Sequence, residues 1–300
     1  MNKNYVFALL ATFTATTIYG LNHTIAKVVM PQYIQGFGFI MLRLLGATLL
    51  FWLSSLFLPQ EKIERSDWKR IVVCAVFGMC INMLSFFKGL ELSTPINSGV
   101  IVGFTPIGVL ILSVLFLKER LTLLKVSGIV LGFVGGLLLI FSGTAAVADA
   151  PNIPLGNVLF FVNASSFACY LVLVKPLTQK YHVITLMKWM FSLGLLFSWP
   201  LTIGEFSQVS WQTLPFDVIW RMAFVILGTT YMTYLLNVYA LKTVPPSTVG
   251  AFIYLQPIIA IVYALWVGAD TLTVTKLGAC LLVFGGVYMV SIRPKEKLKS

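Results

Sequence analysis

The chain has 300 residues, of which 58% are hydrophobic and only 10% are charged, and its formal net charge is +11. About a quarter of the residues of a soluble domain are charged, so this composition excludes a water-soluble globule. A lipid bilayer is the expected environment of the chain. Basic residues collect in the cytoplasmic loops of membrane proteins, so the positive charge does not indicate nucleic acid as a partner.

Ten largely uncharged stretches are long enough to cross a bilayer, since a membrane helix needs about 20 mostly apolar residues. In chain order they are residues 5–26, 34–57, 70–89, 94–117, 123–142, 155–176, 183–203, 218–241, 246–267 and 273–292. The first is longer than the apolar core of a secretion signal and lacks a convincing cleavage site, so it is interpreted as a retained helix. The sequence therefore predicts an all-α integral membrane protein with ten transmembrane helices.

Lysine and arginine at the ends of these stretches predict the orientation of the helices. With the N-terminus inside, the basic residues of the chain ends and most loops fall on the inner side. The outer side keeps only Lys27, Lys88, Arg221 and Lys276. Both termini are predicted to be cytoplasmic, and the expected location is a bacterial inner (plasma) membrane.

The sequence contains an internal repeat. A shift of 151 residues pairs residues 89–139 with 240–290 without a gap and gives eleven identical pairs. The pairs that argue most strongly for duplication are Pro95 with Pro246, Pro106 with Pro257, Gly99 with Gly250, and Gly135 with Gly286. Each half holds five stretches, so the second copy enters the membrane from the opposite side. We predict two inverted five-helix repeats, residues 1–148 and 149–300.

The fifth and tenth stretches are rich in glycine, and small residues let membrane helices approach closely. The glycines concerned are Gly132, Gly135, Gly136, Gly285 and Gly286. These two stretches are therefore predicted to be packing elements rather than walls of a binding site.

Four features occur in a characteristic order along the chain. They are an aromatic-Gly-x-Asn start with a terminal lysine (Tyr19 to Lys27), the Leu42-Arg43 pair, the Pro106 stretch ending in Lys118-Glu119-Arg120-Leu121, and the glycine-rich segment Ser127 to Gly136. In these features the chain resembles the EamA-type branch of the drug/metabolite transporter superfamily over essentially its whole length. The resemblance implies a secondary transporter that exports or exchanges small organic metabolites, with amino acids or related compounds as the leading class.

Inverted repeats place a binding site near the membrane midplane, where irregular helices free backbone groups for a ligand. Pro106 and Pro257 each sit near the middle of a long uncharged stretch and follow a polar residue, Thr105 or Gln256. Proline removes a helix hydrogen bond at such a position. A packing kink without ligand contact is the alternative interpretation.

Polar side chains at membrane depth cost free energy unless they face a cavity or a partner, so they mark candidate substrate-binding positions. The candidates of this kind are Asn22, His23, Asn82, Ser166, Tyr231 and Tyr254. Hydrogen bonding between helices is the alternative for each of them. His23 titrates near neutral pH and is a candidate for proton coupling, whereas a neutral, hydrogen-bonding histidine is the alternative.

Arg43 lies about ten residues into the second stretch and stays charged at any relevant pH. It must meet water, backbone carbonyls or an anion, and a substrate carboxylate would supply the anion. The ten stretches hold no deep acidic residue, which argues against an organic cation as substrate. The alternative role of Arg43 is to tie helices together.

Motifs of other functions are absent from the sequence. It has no paired deep aspartates, no Gly-x-Ser-x-Gly serine and no phosphate-binding loop, and the four cysteines lack metal-ligand spacing. We therefore expect no enzyme, no cofactor and no metal. A sugar-phosphate or nucleotide-sugar exchanger is the alternative within transport, although it would need more deep basic residues. Outside transport the alternatives are a membrane-embedded enzyme or a structural or sensory protein, and monomer and homodimer both stay open.

Overall fold

The computed structural model describes residues 3–27, 29–30, 32–93, 98, 101–141, 151–266 and 273–292. Within this part of the chain the regular structure is helical, with no strand. The helices are α1 (Lys3–Lys27), α2 (Gly36–Ser55), α3 (Trp68–Leu92), α4 (Thr105–Leu117), α5 (Leu123–Phe141), α6 (Ile153–Val174), α7 (Val183–Ser207), α8 (Phe216–Leu241), α9 (Pro246–Ala251), α10 (Gln256–Trp266) and α11 (Val274–Ser291).

Seven helices among the described residues are long and apolar enough to cross a membrane, namely α1, α2, α3, α6, α7, α8 and α11. Apolar side chains such as those of Phe57, Leu123, Phe216 and Val274 are exposed, which is expected of a protein surface that faces lipid. The prediction of an all-helical membrane protein is confirmed. The count of ten crossings stays a prediction.

The helices of the two halves of the chain interleave. Helix α2 packs against α7, α5 against α11, α3 against α6, and α1 against α8. Each of these pairs joins a helix before residue 149 to one after it, so the main packing interfaces lie between the halves. The buried apolar core runs through these interfaces, where side chains such as Phe39, Phe51, Phe160 and Phe191 are fully buried.

Helices α3 and α8 share an unusual feature. Each contains a π-helical segment in its interior, Val76–Ile81 in α3 and Val225–Met232 in α8. A π-helical segment inserts a residue into the regular hydrogen-bond ladder, and such segments occur frequently at functional sites. The shift of 151 residues that defines the internal repeat brings the first segment onto the second.

Helices α5 and α11 begin with the same cap. The hydroxyl of Thr122 accepts a hydrogen bond from the backbone N–H of Lys125 at 3.3 Å, and that of Thr273 accepts one from Lys276 at 3.3 Å. Both lysines are buried, with exposed fractions of 7% and 3%. Threonine is a favoured residue at this position because its side-chain oxygen satisfies a free N–H of the first turn.

Glycine allows α5 and α11 to approach closely. A Cβ atom on Gly286 would lie 2.4 Å from the carbonyl oxygen of Gly128, and one on Gly135 would lie 2.8 Å from that of Ala279. The predicted packing role is therefore confirmed for Gly135 and Gly286. For Gly285 it is wrong, because no atom of the described residues lies within 4 Å of its Cβ position and the residue faces away from α5.

Glu205 near the end of α7 caps the N-terminus of α2. Its Oε2 accepts hydrogen bonds from the backbone N–H groups of Phe37 at 2.7 Å and Gly38 at 3.0 Å. A carboxylate is favourable there because the first N–H groups of a helix lack partners and carry partial positive charge. The cap fixes the end of α2 against α7.

At the opposite end of α2, an ionic contact joins the α2–α3 connection to the α6–α7 connection. The carboxylate of Asp67 accepts hydrogen bonds from Lys180 Nζ at 2.9 Å and from the Tyr181 hydroxyl at 2.8 Å. The hydrogen bond from Lys180 is the main cause that lowers the pKa of Asp67 below the ordinary value of 3.8.

We expect acid to remove the stabilisation that Asp67 provides. Because its folded-state pKa is lowered, the contribution is complete above the ordinary carboxyl pKa and disappears as the pH falls through the lowered value. Asp67→Asn should therefore lower the melting temperature of the detergent-solubilised protein at about pH 7. The difference between the two melting temperatures should shrink as the pH falls through that lowered value, and a difference that persisted in strong acid would contradict the assignment.

Candidate functional site

Arg43 of α2 is a charged side chain buried inside the helix bundle. Only 7% of its surface is exposed, its Nε donates a hydrogen bond to the hydroxyl of Thr230 at 2.9 Å, and its Cζ lies 5.6 Å from the ring centre of Phe87. Among the described residues no carboxylate lies within ion-pair distance, and neither Nη atom has a hydrogen-bond partner. The guanidinium is thus buried with most of its donors unused.

The π-helical segment Val225–Met232 of α8 orients the partner of Arg43. The hydroxyls of Thr229 and Thr230 both donate to the carbonyl of Val225, at 2.7 and 2.8 Å. Because the hydroxyl hydrogen of Thr230 is used in this bond, its lone pairs are available to accept from Arg43 Nε. The irregular backbone of α8 therefore fixes both the position and the polarity of the contact.

Three tyrosines complete the surroundings of Arg43. The Tyr234 hydroxyl donates to the carbonyl of Gly78 at 3.0 Å, and Tyr19 lies beside Thr233. The ring of Tyr170 packs against Gly78, where a Cβ atom would lie 2.5 Å from it. Helices α1, α2, α3, α6 and α8 therefore converge on one point of the bundle.

We call this group the arginine cluster, and it consists of Tyr19, Arg43, Tyr170, Thr230 and Tyr234. Tyr19 and Tyr234 lie close to Arg43. The Tyr170 hydroxyl is buried and has no hydrogen-bond partner among the described residues. The cluster thus combines one positive charge, the hydrogen-bonded hydroxyl of Tyr234 and the hydroxyl of Tyr170, which is free to bind a ligand.

The structure places two other predicted residues in an interface between α3 and α6. Asn82 Nδ2 donates to the carbonyl of Asn163 at 3.3 Å, and Asn163 Nδ2 donates back to the carbonyl of Asn82 at 2.8 Å. The Ser166 hydroxyl donates to the carbonyl of Phe77 at 2.5 Å. The side chains of Asn82 and Ser166 are therefore used to hold the two helices together.

Tyr231 lies apart from the arginine cluster. Its hydroxyl is 2.7 Å from that of Ser54, and its ring centre lies 4.6 Å from that of Phe51. Ser54 is about three helical turns from Arg43 along α2. In this conformation Tyr231 and Arg43 therefore do not share one ligand site.

Asn22 and Tyr254 each bury a polar atom without a hydrogen-bond partner among the described residues, the Oδ1 and the hydroxyl respectively. Tyr254 packs against α5, where a Cβ atom on Gly132 would lie 2.5 Å from its ring. The side chain of His23 lies outside the part of the chain whose side chains the structure describes.

The two repeat prolines mark helix starts. Pro106 is the second residue of α4, which begins at Thr105, and Pro257 is the second residue of α10, which begins at Gln256 after the 3₁₀-helical segment Phe252–Leu255. The first turn of a helix tolerates proline because its N–H groups need no partner within the helix. The sequence predicted prolines in the middle of long helices. The structure corrects this prediction, because a regular helix begins one residue before each proline.

Comparisons with known proteins agree with this architecture. An uncharacterized transporter of Archaeoglobus fulgidus is 26% identical over 290 residues, which cover 97% of this chain and 99% of that protein. The uncharacterized transporter YyaM of Bacillus subtilis is 25% identical over 229 residues, 75% of each chain. A solved crystal structure matches with a TM-score of 0.78 at 17% identity, covering 94% of this chain and 95% of that one, which shows the same fold. The model of the EamA-like transporter family matches residues 6–141 and 154–292, so the chain belongs to that family.

Proposed function

We propose that this membrane transporter is a secondary transporter that exports small organic metabolites carrying a carboxylate, such as amino acids or related compounds, by alternating access. The arginine cluster is the substrate site in this proposal. The observation that carries it is Arg43, a buried guanidinium with unused Nη donors and no described carboxylate beside it.

A buried charge without a counter-charge is costly, so the site favours an anion as its ligand. A carboxylate fits because the two Nη groups of a guanidinium can donate to its two oxygens in parallel. The free hydroxyl of Tyr170 offers a further donor or acceptor close to the tyrosines of the cluster. The aromatic rings around it suit a small organic body attached to the carboxylate.

Alternating access requires two states of similar free energy, and the proposed inverted repeats of residues 1–148 and 149–300 would supply them. The family model matches one stretch in each half. Helices α3 and α8 share their interior π-helical segments, and α4 and α10 share a proline at their start. We place the moving walls in α3 and α4 against α8, α9 and α10, with both termini on the cytoplasmic side of a bacterial inner membrane.

Transport of a pooled metabolite mixture by proteoliposomes tests the function. We expect mass spectrometry to find a subset of carboxylate-bearing compounds moved across the membrane, and none in liposomes without protein. A parallel experiment with a pH gradient shows whether protons are coupled to this flux. Movement of sugar phosphates or nucleotide sugars alone, or of organic cations alone, would contradict the proposed substrate class.

A further inference from the structure

A second buried ionic group lies where α4 ends and α5 begins, at the end of the bundle opposite to the Glu205 cap. The side chain of Glu119 is 9% exposed, and its Oε1 accepts from Lys125 Nζ at 2.5 Å and from the hydroxyl of Ser247. Lys175, at the end of α6, interacts electrostatically with Glu119. We call Glu119, Lys125, Lys175 and Ser247 the Glu119 cluster.

The Glu119 cluster bridges the two halves of the chain. Glu119 and Lys125 come from the α4–α5 connection and the start of α5, whereas Lys175 ends α6 and Ser247 begins α9. Lys175 Nζ also donates to the carbonyls of Leu241, the last residue of α8, and Val244, in the connection between α8 and α9. Five helix ends therefore lie around the Glu119 cluster.

The backbone holds Glu119 in place at some cost. Lys118 is the only residue other than glycine with a positive φ in the described part of the chain, at 54°. This left-handed conformation ends α4 and lets the N–H of Glu119 donate to the carbonyl of Ser113 at 3.2 Å. A left-handed residue with a side chain persists only where its surroundings enforce it, and such residues collect at functional sites.

Most contacts of the Glu119 cluster lie within one half of the chain, and few cross between the halves. The ion pair of Glu119 with Lys125 lies within the first half, and the bonds of Lys175 to Leu241 and Val244 lie within the second. The direct hydrogen bond that crosses between the halves in this cluster is the one from Ser247 to Glu119. When the halves separate here, Glu119 keeps Lys125 and Lys175 keeps its two carbonyl acceptors, so neither charge loses all of its polar partners.

Two observations indicate that the closed arrangement is easily opened. Glu119 Oε2 is buried without a hydrogen-bond partner among the described residues, so the carboxylate is only half satisfied. A cavity of about 230 Å³ lies beside the cluster and is lined by Lys125, Thr243 and Thr248 among others. The cavity gives water a place to solvate Lys125 once the contact between the halves breaks.

We propose that the Glu119 cluster is a gate that closes one end of the transport pathway. In this conformation the contact of Glu119 with Ser247 and the attraction between Glu119 and Lys175 hold the halves together. When the gate opens, the Glu119–Lys125 pair moves with the first half and Lys175 stays with the second. This inference rests on the proposed transport function, since a gate has meaning only for a pathway between two compartments.

Distances between two spin labels test the gate without any substrate. The labels are placed at Arg120→Cys and Lys242→Cys, on either side of the cluster, in protein whose four native cysteines are replaced and which is reconstituted in liposomes. Glu119→Gln should raise the ratio of long to short distances about tenfold, because Lys125 then lacks a counter-charge in the closed state and reaches water in the open one. Ser247→Ala keeps all charges and should shift the ratio the same way, by about threefold.

The matched control is Glu91→Gln, which removes the same charge from a pair with Lys88 inside α3, 2.6 Å apart, whose neighbours Gly36 and Phe37 belong to the same half of the chain. It should leave the distances unchanged. Unchanged distances in both Glu119→Gln and Ser247→Ala would overturn the gate, and Ser247→Ala alone decides if Glu119→Gln does not fold. A shift of the distances in a protein that moves no carboxylate would keep the gate and reject the proposed substrate class instead.

Discussion

Replacement of Arg43 by glutamine is expected to lower the flux of carboxylate-bearing substrates about a hundredfold or more. Two charge-assisted hydrogen bonds to the carboxylate are lost, each worth roughly 1.5 to 3 kcal/mol, and every 1.4 kcal/mol is about tenfold. The glutamine amide can still donate to Thr230, whose hydroxyl accepts from Arg43 Nε at 2.9 Å. The contact between α2 and α8 therefore survives while the charge is removed.

The measurement that isolates the carboxylate is a comparison of each substrate with its neutral primary amide. The native protein should transport the carboxylate much faster than its neutral amide. The Arg43→Gln variant should transport the carboxylate and the amide at similar low rates. Thr230→Val is the matched control, because it removes the anchor of the guanidinium but not its charge, and it should lower the flux of the acid while preserving the preference. Equal losses for acid and amide, together with a lowered melting temperature, would assign Arg43 to tying helices instead.

Arg43 was predictable from the sequence, but its partner was not. A charge ten residues inside an apolar stretch is conspicuous in any membrane protein. The sequence offers several polar residues from Thr229 to Thr233 at this depth, and only the structure shows that Thr230, and not Tyr231, contacts Arg43. The π-helical segment adds a residue to the turn and changes which side chains face inward, so a period of 3.6 residues gives the wrong face there.

Tyr19 belongs to the aromatic-Gly-x-Asn feature of the sequence, but Tyr170 and Tyr234 left no distinct signal there. The chain has 11 tyrosines and 23 phenylalanines, and most aromatic residues of a membrane protein face lipid or other helices. Tyr170 enters the cluster because Gly78 leaves room for its ring, a pairing between distant helices that only the packing of the bundle determines. In contrast, the prolines at 106 and 257 were found from the repeat, and only their place in the first turn of a helix required the structure.

Replacement of Gly286 by alanine is expected to destabilise the protein by about 3 kcal/mol or more, at the upper end of the cost of overpacking. Its Cβ atom would lie 2.4 Å from the carbonyl oxygen of Gly128 and 2.6 Å from the backbone nitrogen of Gly132. Backbone atoms inside a helix cannot turn aside as a flexible side chain can. Helices α5 and α11 would therefore have to move apart, and the dense packing along their whole contact would be lost.

Gly285 provides the control for this prediction, because it is the preceding residue of the same helix and nothing lies within 4 Å of its Cβ position. Gly285→Ala should leave the melting temperature in detergent unchanged or raise it, since alanine favours the helix by up to about 1 kcal/mol. Gly286→Ala should have a melting temperature well below those of the native protein and of Gly285→Ala. Because the two variants differ only in the direction of one methyl group, equal melting temperatures would show that the α5–α11 interface is loose enough to absorb the added atom.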